Sequence, residues 1–263
     1  MTILIATGLR REAGILSGPG RLVVAGGGDS ARLELELEAA ASSAIAILSC
    51  GLAGALAPEL KAGDLIIGSL SQGEREGAHA KGRGRVRATG EVGPENHPHP
   101  SAASRLPPSP VGRGNERIVG ALASLFQDAH LGTIVGSGAI VATAAEKQAL
   151  HAETGALAVD MESHIAARVA ARQNLPFAII RAISDGANEA LPSAALVGMK
   201  PDGSMALGTV LASLARNPTQ LPALIRTGLH AGRAFAELRR VSDALGRLGV
   251  SLADNLEFPL DMR

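Results

Sequence analysis

"AVDMESHIAARVAARQNLPFAIIRAISDGA", Ala158–Ala187, taken with the two residues before it, holds two short runs rich in Ala, Val and Ile, at 156–160 and 177–184, around a segment at 161–173 whose apolar residues recur at helical spacing. Apolar strands separated by a helix mean a sheet covered on both faces, so the unit reads as two parallel strands joined by a crossover helix. On that reading Glu162 and Asp185 stand just past strand ends on one edge of the sheet, where α/β sheets bind their ligands. Two carboxylates on one cleft can divide labour, the drier one keeping its proton and the other staying ionised. Arg181, just upstream of Asp185, adds a partner for an anion. A purely structural role is open to the same residues: Asp185 as a helix N-cap and Glu162 as a first-turn charge facing the helix dipole.

Elsewhere in the chain, apolar β-branched runs recur at 2–6, 21–26, 44–49, 64–69 and 131–137, with helical patterns at about 10–17, 30–42, 115–129 and 143–154. This alternation predicts the α/β class. The long apolar run 39–57 is diluted by Ser42, Ser43, Ser49, Gly51 and Gly54 and closed by Pro58, so it reads as a buried strand feeding a glycine turn and not as a membrane span. Cys50, the single cysteine, reads as a small buried packing residue; one thiol forms neither an intrachain disulfide nor a multi-thiolate metal site, which suits a reducing cytoplasm. The N-terminal "MTILIATGLRRE" places apolar residues before charges, the reverse of a secretory signal, and no export is expected.

The 263 residues carry 25 basic and 25 acidic side chains, so no net field draws in a polyanion. With no Trp or Tyr, few rings are left to stack on bases, and a nucleic-acid partner is not expected. Hydrophobic content of 46% fits a folded domain at 1–190 with an appendage at 191–263. Residues 71–114 crowd Gly, Pro, Arg and His with little periodicity beyond a short strand expected around Val86. They read as a long irregular excursion, either a solvated loop or one whose arginines meet an anionic ligand. After Ala190 the helix signals include Asn217–Pro218, a cap followed by a first-turn proline. Leu238, Val241, Leu245 and Leu248 then share one face of an amphipathic helix, which either docks on the protein's own core or faces a membrane or lipid-like substrate. "GGGDS" (26–30) completes neither GxGxxG nor a P-loop; it is a tight turn into a helix capped by Asp29 or Ser30, or a substrate-contacting loop.

"AVDMES" (158–163) followed by "LPFAIIRAISDGA" (175–187) resembles the signature of the purine nucleoside phosphorylase and methylthioadenosine/S-adenosylhomocysteine nucleosidase superfamily. "CGLAGALAPELKAGDLIIGS" (50–69) and "ATGLRREAGIL" (6–16) extend the likeness over most of 1–190. More narrowly, "GSGAIVATAAEKQAL" (136–150) and the tail after Ala190 resemble the hopanoid-biosynthesis-associated phosphorylases, which remove adenine from adenosylhopane. The resemblance implies a three-layer α/β fold, a twisted mixed sheet with helices on both faces, and a helical C-terminal extension packed on it. It implies an enzyme that cleaves the N-glycosidic bond of a 5′-modified adenosine by attack of phosphate or water.

The family's roles fall on this chain as follows. Asp185 delivers a proton to purine N7, and Ser184 orients it. Glu162, ionised, binds the ribose hydroxyls and steadies the sugar cation, with Met161 packed against the ribose. Arg181 and Glu12 lie near the nucleophile, Glu12 as the base in hydrolytic members. Arg10 and Arg11 suit phosphate, so the loop "GLRRE" (8–12) carries options for both nucleophiles. Gly51 belongs to the glycine-rich strand-turn, Leu52 stands where nucleosidases place a serine, and Ile140 replaces the ring that stacks on the base. No metal and no cofactor is implied beyond phosphate as co-substrate. The implied partner is a small nucleoside with a large apolar 5′ group. Also implied are a cytoplasmic homodimer whose sites a neighbouring subunit completes, with peripheral contact at the inner membrane. Three rival readings remain: a methylthioadenosine/S-adenosylhomocysteine nucleosidase, with a small 5′ pocket if methylthioadenosine itself is hydrolysed, a general purine nucleoside phosphorylase, and a non-catalytic purine-nucleoside binding protein.

Overall fold

Each apolar run in the sequence becomes a strand in the computed structural model, which describes residues 2–71, 110–196 and 206–248. The strand expected around Val86, residues 72–109 of the excursion and the end of the tail lie outside the described residues. The strands are β1 (Thr2–Thr7), β2 (Arg21–Ala25), β3 (Ala44–Ala55), β4 (Leu65–Leu70), β5 (His130–Gly136), β6 (Ala158–Asp160) and β7 (Phe177–Asp185). The α-helices are α1 (Arg10–Leu16), α2 (Ser30–Ala41), α3 (Pro110–Leu125), α4 (Ala144–Thr154), α5 (Ser163–Arg172), α6 (Ser193–Leu196), α7 (Leu207–Arg216) and α8 (Leu221–Leu248).

The sheet is mixed, in the order β2-β1-β3-β6-β5-β4-β7, and β7 also pairs with β3. Strands β3, β6, β5, β4 and β7 therefore close a ring from which β1 and β2 extend. Alternate residues of the strands point to opposite faces, which splits the core in two. Leu4, Ile47 and Ile179 pack under α2 and α5 with Leu33, Leu37, Ile165 and Val169. Their neighbours Ile5, Leu48 and Ile180 pack under α3 and α8 with Ile118, Leu122, Phe126, Leu238, Val241 and Leu245. The three-layer mixed α/β architecture expected from the sequence is thus present.

Two local expectations are corrected. First, the glycine-rich run is not a turn: β3 continues through Gly51 and Gly54 to Ala55. A Cβ at Gly51 would lie 2.6 Å from Arg181 Nη1, and one at Gly54 3.1 Å from Asp185 Oδ2, so these glycines make room for neighbouring side chains within a strand. Second, β6 and β7 are not parallel neighbours. β3 pairs with β6 antiparallel and with β7 parallel, so the two strands flank β3 and run in opposite directions.

The tail helix α8 serves two surfaces. In its second half Ala234, Phe235, Leu238, Val241, Ala244 and Leu245 are buried. In its first half Leu221, Ile225 and Leu229 remain exposed, as does Leu211 of α7. The side chain of Leu248 lies outside the described residues.

Candidate active site

The long strand β3 determines where the cleft opens. One edge of it pairs with β1 up to Ser49 and with β6 only from Gly54, so among the described residues 50–53 have no ladder partner on that edge. A backbone N–H left without a ladder needs another acceptor. Glu12, three residues into α1, supplies it: Oε1 accepts from Leu52 N–H at 2.8 Å. Its Oε2 accepts from Thr7 Oγ1 at 2.6 Å, Gly8 N–H at 2.9 Å and Leu9 N–H at 2.6 Å. Four donors fix this carboxylate, in a residue only 3% exposed, at the wall of a cleft of ≈ 230 Å³. The cleft is also lined by Gly28, Ile140, Met161, Glu162, Ser184 and Asp185. The "GGGDS" segment divides between a cap and the cleft: Asp29 caps α2 by accepting Arg32 N–H at 3.0 Å, while Gly28 faces the cleft.

Glu162 occupies the N-cap position of α5, but its side chain makes no cap bond. Asp160 takes over that duty, accepting Ser163 N–H at 2.9 Å, and Ser163 Oγ also donates to it. Glu162 is thereby left to the cleft. Burial pushes its carboxyl up to about 8, with Asp160 and Glu12 adding to the rise and Arg181 opposing it. Burial thus works against the ionised Glu162 expected from the sequence, and the Arg181 guanidinium works for it.

The Arg181 side chain is fully buried. Nε donates to Asp160 Oδ2 at 2.5 Å, and Nη2 to Ser49 Oγ at 2.6 Å and Ser163 Oγ at 3.1 Å. Nη2 also lies 3.6 Å from Glu162 Oε2. Among the described residues Nη1 has no hydrogen-bond partner, and it occupies the space that Gly51 leaves by lacking a Cβ. Arg181 therefore lies behind the cleft wall, and Gly51 serves it and does not line the cleft.

Asp185 ends β7 and caps no helix, since the next begins at Ser193. Its Oδ1 accepts from Ser184 Oγ at 2.7 Å, and its Oδ2 is ion-paired with Lys147 Nζ. Lys147 is fully buried and also donates to the carbonyls of Gly186 at 2.8 Å and Glu189 at 2.9 Å. Asp185, expected from the sequence as the proton donor, is thus paired with a buried lysine. Sequence reading missed Lys147, because a lysine in the first turn of a capped helix reads as a solvent-facing charge. The cap itself, Thr143 accepting Glu146 N–H at 3.2 Å, is what aims that turn at Asp185.

The arginines of "GLRRE" are not in the cleft. Arg10 is exposed, and Arg11 stacks on Phe235 of α8 at 4.0 Å from the ring centroid. Burial raises the Cys50 thiol to about 12, so it is no nucleophile. Among the described residues no group of three or more His, Cys, Asp or Glu is arranged to hold a metal ion.

A search of the curated proteins finds no match. Solved structures with a similar fold include the 5′-methylthioadenosine/S-adenosyl homocysteine nucleosidase of Helicobacter pylori, 19% identical over 97% of this chain and 99% of that one, with a TM-score of 0.52. The Streptococcus pneumoniae MTA/SAH nucleosidase in complex with 8-aminoadenine is 23% identical over 81% and 99%, with a TM-score of 0.50. A Weissella paramesenteroides protein assigned as a methylthioadenosine nucleosidase is 21% identical over 94% and 97%, with a TM-score of 0.51. At these identities the likeness is one of fold. The family model of the Phosphorylase superfamily matches residues 14–216, most of the sheet and its helices, and this chain belongs to that superfamily.

Proposed function

We propose that the protein cleaves the N-glycosidic bond of a 5′-modified adenosine and releases adenine. The observation that carries this reading is the convergence of Glu12, Glu162 and Asp185, from three separate elements, on one cleft. A departing purine is a poor leaving group until N7 is protonated, and Asp185, oriented by Ser184, is the acid at hand. Glu162 takes the ribose hydroxyls, and its ionised form steadies the positive charge that grows at C1′. Met161 packs on the sugar and Ile140 on the base.

Water is the favoured nucleophile. The described residues lining the cleft include Glu12, Asp160, Glu162 and Asp185 and no Lys or Arg, so no cation of the lining draws in a phosphate dianion, and a water molecule needs none. Glu12 then acts as the base. Phosphorolysis is the second reading, favoured by the unpartnered Arg181 Nη1 beside Glu12. Adenine release assayed with and without phosphate decides: the same rate and a free sugar product mean hydrolysis, whereas dependence on phosphate means phosphorolysis. No adenine from adenosine, methylthioadenosine or an adenosine with a bulky apolar 5′ group would leave a nucleoside-binding protein.

The apolar side chains of Leu9, Val141, Leu191 and Leu196 at the cleft suit a hydrocarbon 5′ substituent. With the hopanoid-type resemblance of 136–150, this favours adenosylhopane as substrate, in hopanoid biosynthesis; methylthioadenosine is the smaller alternative. A cytoplasmic homodimer with peripheral membrane contact completes the proposal. No described helix is long and apolar enough to cross a membrane. Contact at the surface is supported by exposed Leu211, Leu221, Ile225 and Leu229, in a segment, 206–236, that has three arginines and no carboxylate.

A further inference from the structure

The proposed reaction needs a proton at Asp185, yet the structure places an ammonium against it. Lys147 Nζ directs its three N–H bonds to Asp185 Oδ2 and to the carbonyls of Gly186 and Glu189, with no exposure to solvent. Burying an ammonium is unfavourable even when it is paired, which is a large penalty for a group used only to hold the 186–189 turn. The other titratable groups around the pair are accounted for. Glu189 turns its carboxylate to Gly186 N–H at 3.1 Å, to His230 at 3.1 Å and to Arg226 at 3.4 Å, while Glu12 and Glu162 share the cleft with Asp185.

We propose that Lys147 is a positioning residue acting through Asp185: it holds the carboxylate in place and resupplies the proton that Asp185 passes to the leaving purine. This rests on the adenine-releasing reading above. The ammonium–carboxylate pair carries one transferable proton. As the C1′–N9 bond breaks, its electron pair goes to the purine and the Asp185 proton forms N7–H. The proton on Asp185 comes from Lys147 Nζ, which is left as a neutral amine. Water adds to C1′ and gives up one proton through Glu12 to solvent, and one proton returns from solvent through Asp185 to Lys147. One water is consumed, and adenine and the sugar are released.

The test uses full-length Lys147→Met and Lys147→Arg with two substrates. Methylthioadenosine requires a protonated leaving group, whereas 4-nitrophenyl ribofuranoside departs as a stable anion. Arginine keeps the charge and can hold Asp185, but it does not give up its proton. Adenine release is expected to fall about 10²- to 10⁴-fold in both variants, while nitrophenol release stays within about threefold of wild type. The alkaline limb of the Lys147→Met pH–rate profile for adenine release is expected to move to lower pH. Undiminished adenine release in Lys147→Met would overturn the proposal, and so would full rescue by arginine, which would leave charge alone as the role. Equal loss on both substrates would also overturn it, reducing Lys147 to a structural fastener. Wild-type enzyme that frees no adenine from methylthioadenosine, adenosine or an adenosine with a bulky apolar 5′ group, whether or not it turns over the aryl riboside, would instead sink the functional reading on which the proposal rests.

Discussion

The carboxyl of Glu162 is raised from 4.5 to about 8, so between those values the folded protein holds a proton that the unfolded chain has lost. Stability therefore falls as pH rises through that window, by on the order of 1 kcal/mol per pH unit. Glu162→Gln, which cannot ionise, should flatten the loss; urea denaturation at pH 5 and pH 8 measures it, and an equal slope in the variant would contradict the assignment. On the proposed mechanism the ionised form steadies the sugar cation, so kcat/KM for adenine release should climb as pH rises toward about 8. Gly51 matters through the space it leaves. A methyl there meets Arg181 Nη1 at 2.6 Å, and that guanidinium is held by Asp160, Ser49 and Ser163, so it has little room to yield. Gly51→Ala should cost about 1–3 kcal/mol of stability, read from the urea midpoint.

Among the elements, α8 was legible as an amphipathic helix, and its two halves behave differently. The second half is core: Leu238→Ala should destabilise by about 2–5 kcal/mol in denaturant unfolding. The first half is surface: Leu229, 63% exposed, changed to Ser should alter stability by no more than about 0.5 kcal/mol. The strand and helix runs were likewise legible, because burial on both faces leaves continuous apolar runs and a half-buried helix leaves a 3.6-residue period. Strand partnership was not. The parallel crossover expected at 156–184 follows from the usual rule for strand–helix–strand units, and it fails here because β3 is long enough to hold β6 on one edge and β7 on the other.

For the whole molecule, the exposed half of α8 with α7 makes an apolar face whose own segment carries Arg216, Arg226 and Arg233 and no carboxylate, with Glu189 reaching Arg226 from outside it, and the proposed membrane contact calls for an anionic lipid surface there. Flotation with vesicles containing anionic lipid should carry the wild-type protein, and the double variant Ile225→Ser with Leu229→Ser should be released from them; no flotation of the wild type would remove the membrane contact. Residue type and hydrophobic period are local properties, and they were enough to read the α/β class, the near-complete set of strands and helices, and the placing of Glu162 and Asp185 at strand ends, whereas Glu12 was named only through the family resemblance of 6–16. Which charges meet was decided by tertiary structure alone. It withdrew Arg10 and Arg11 from the cleft, put Arg181 behind its wall, and brought Lys147 to Asp185 from 38 positions away. A side chain's partners depend on strand order and register, and in this chain those follow from ring closure around β3, which no local pattern encodes.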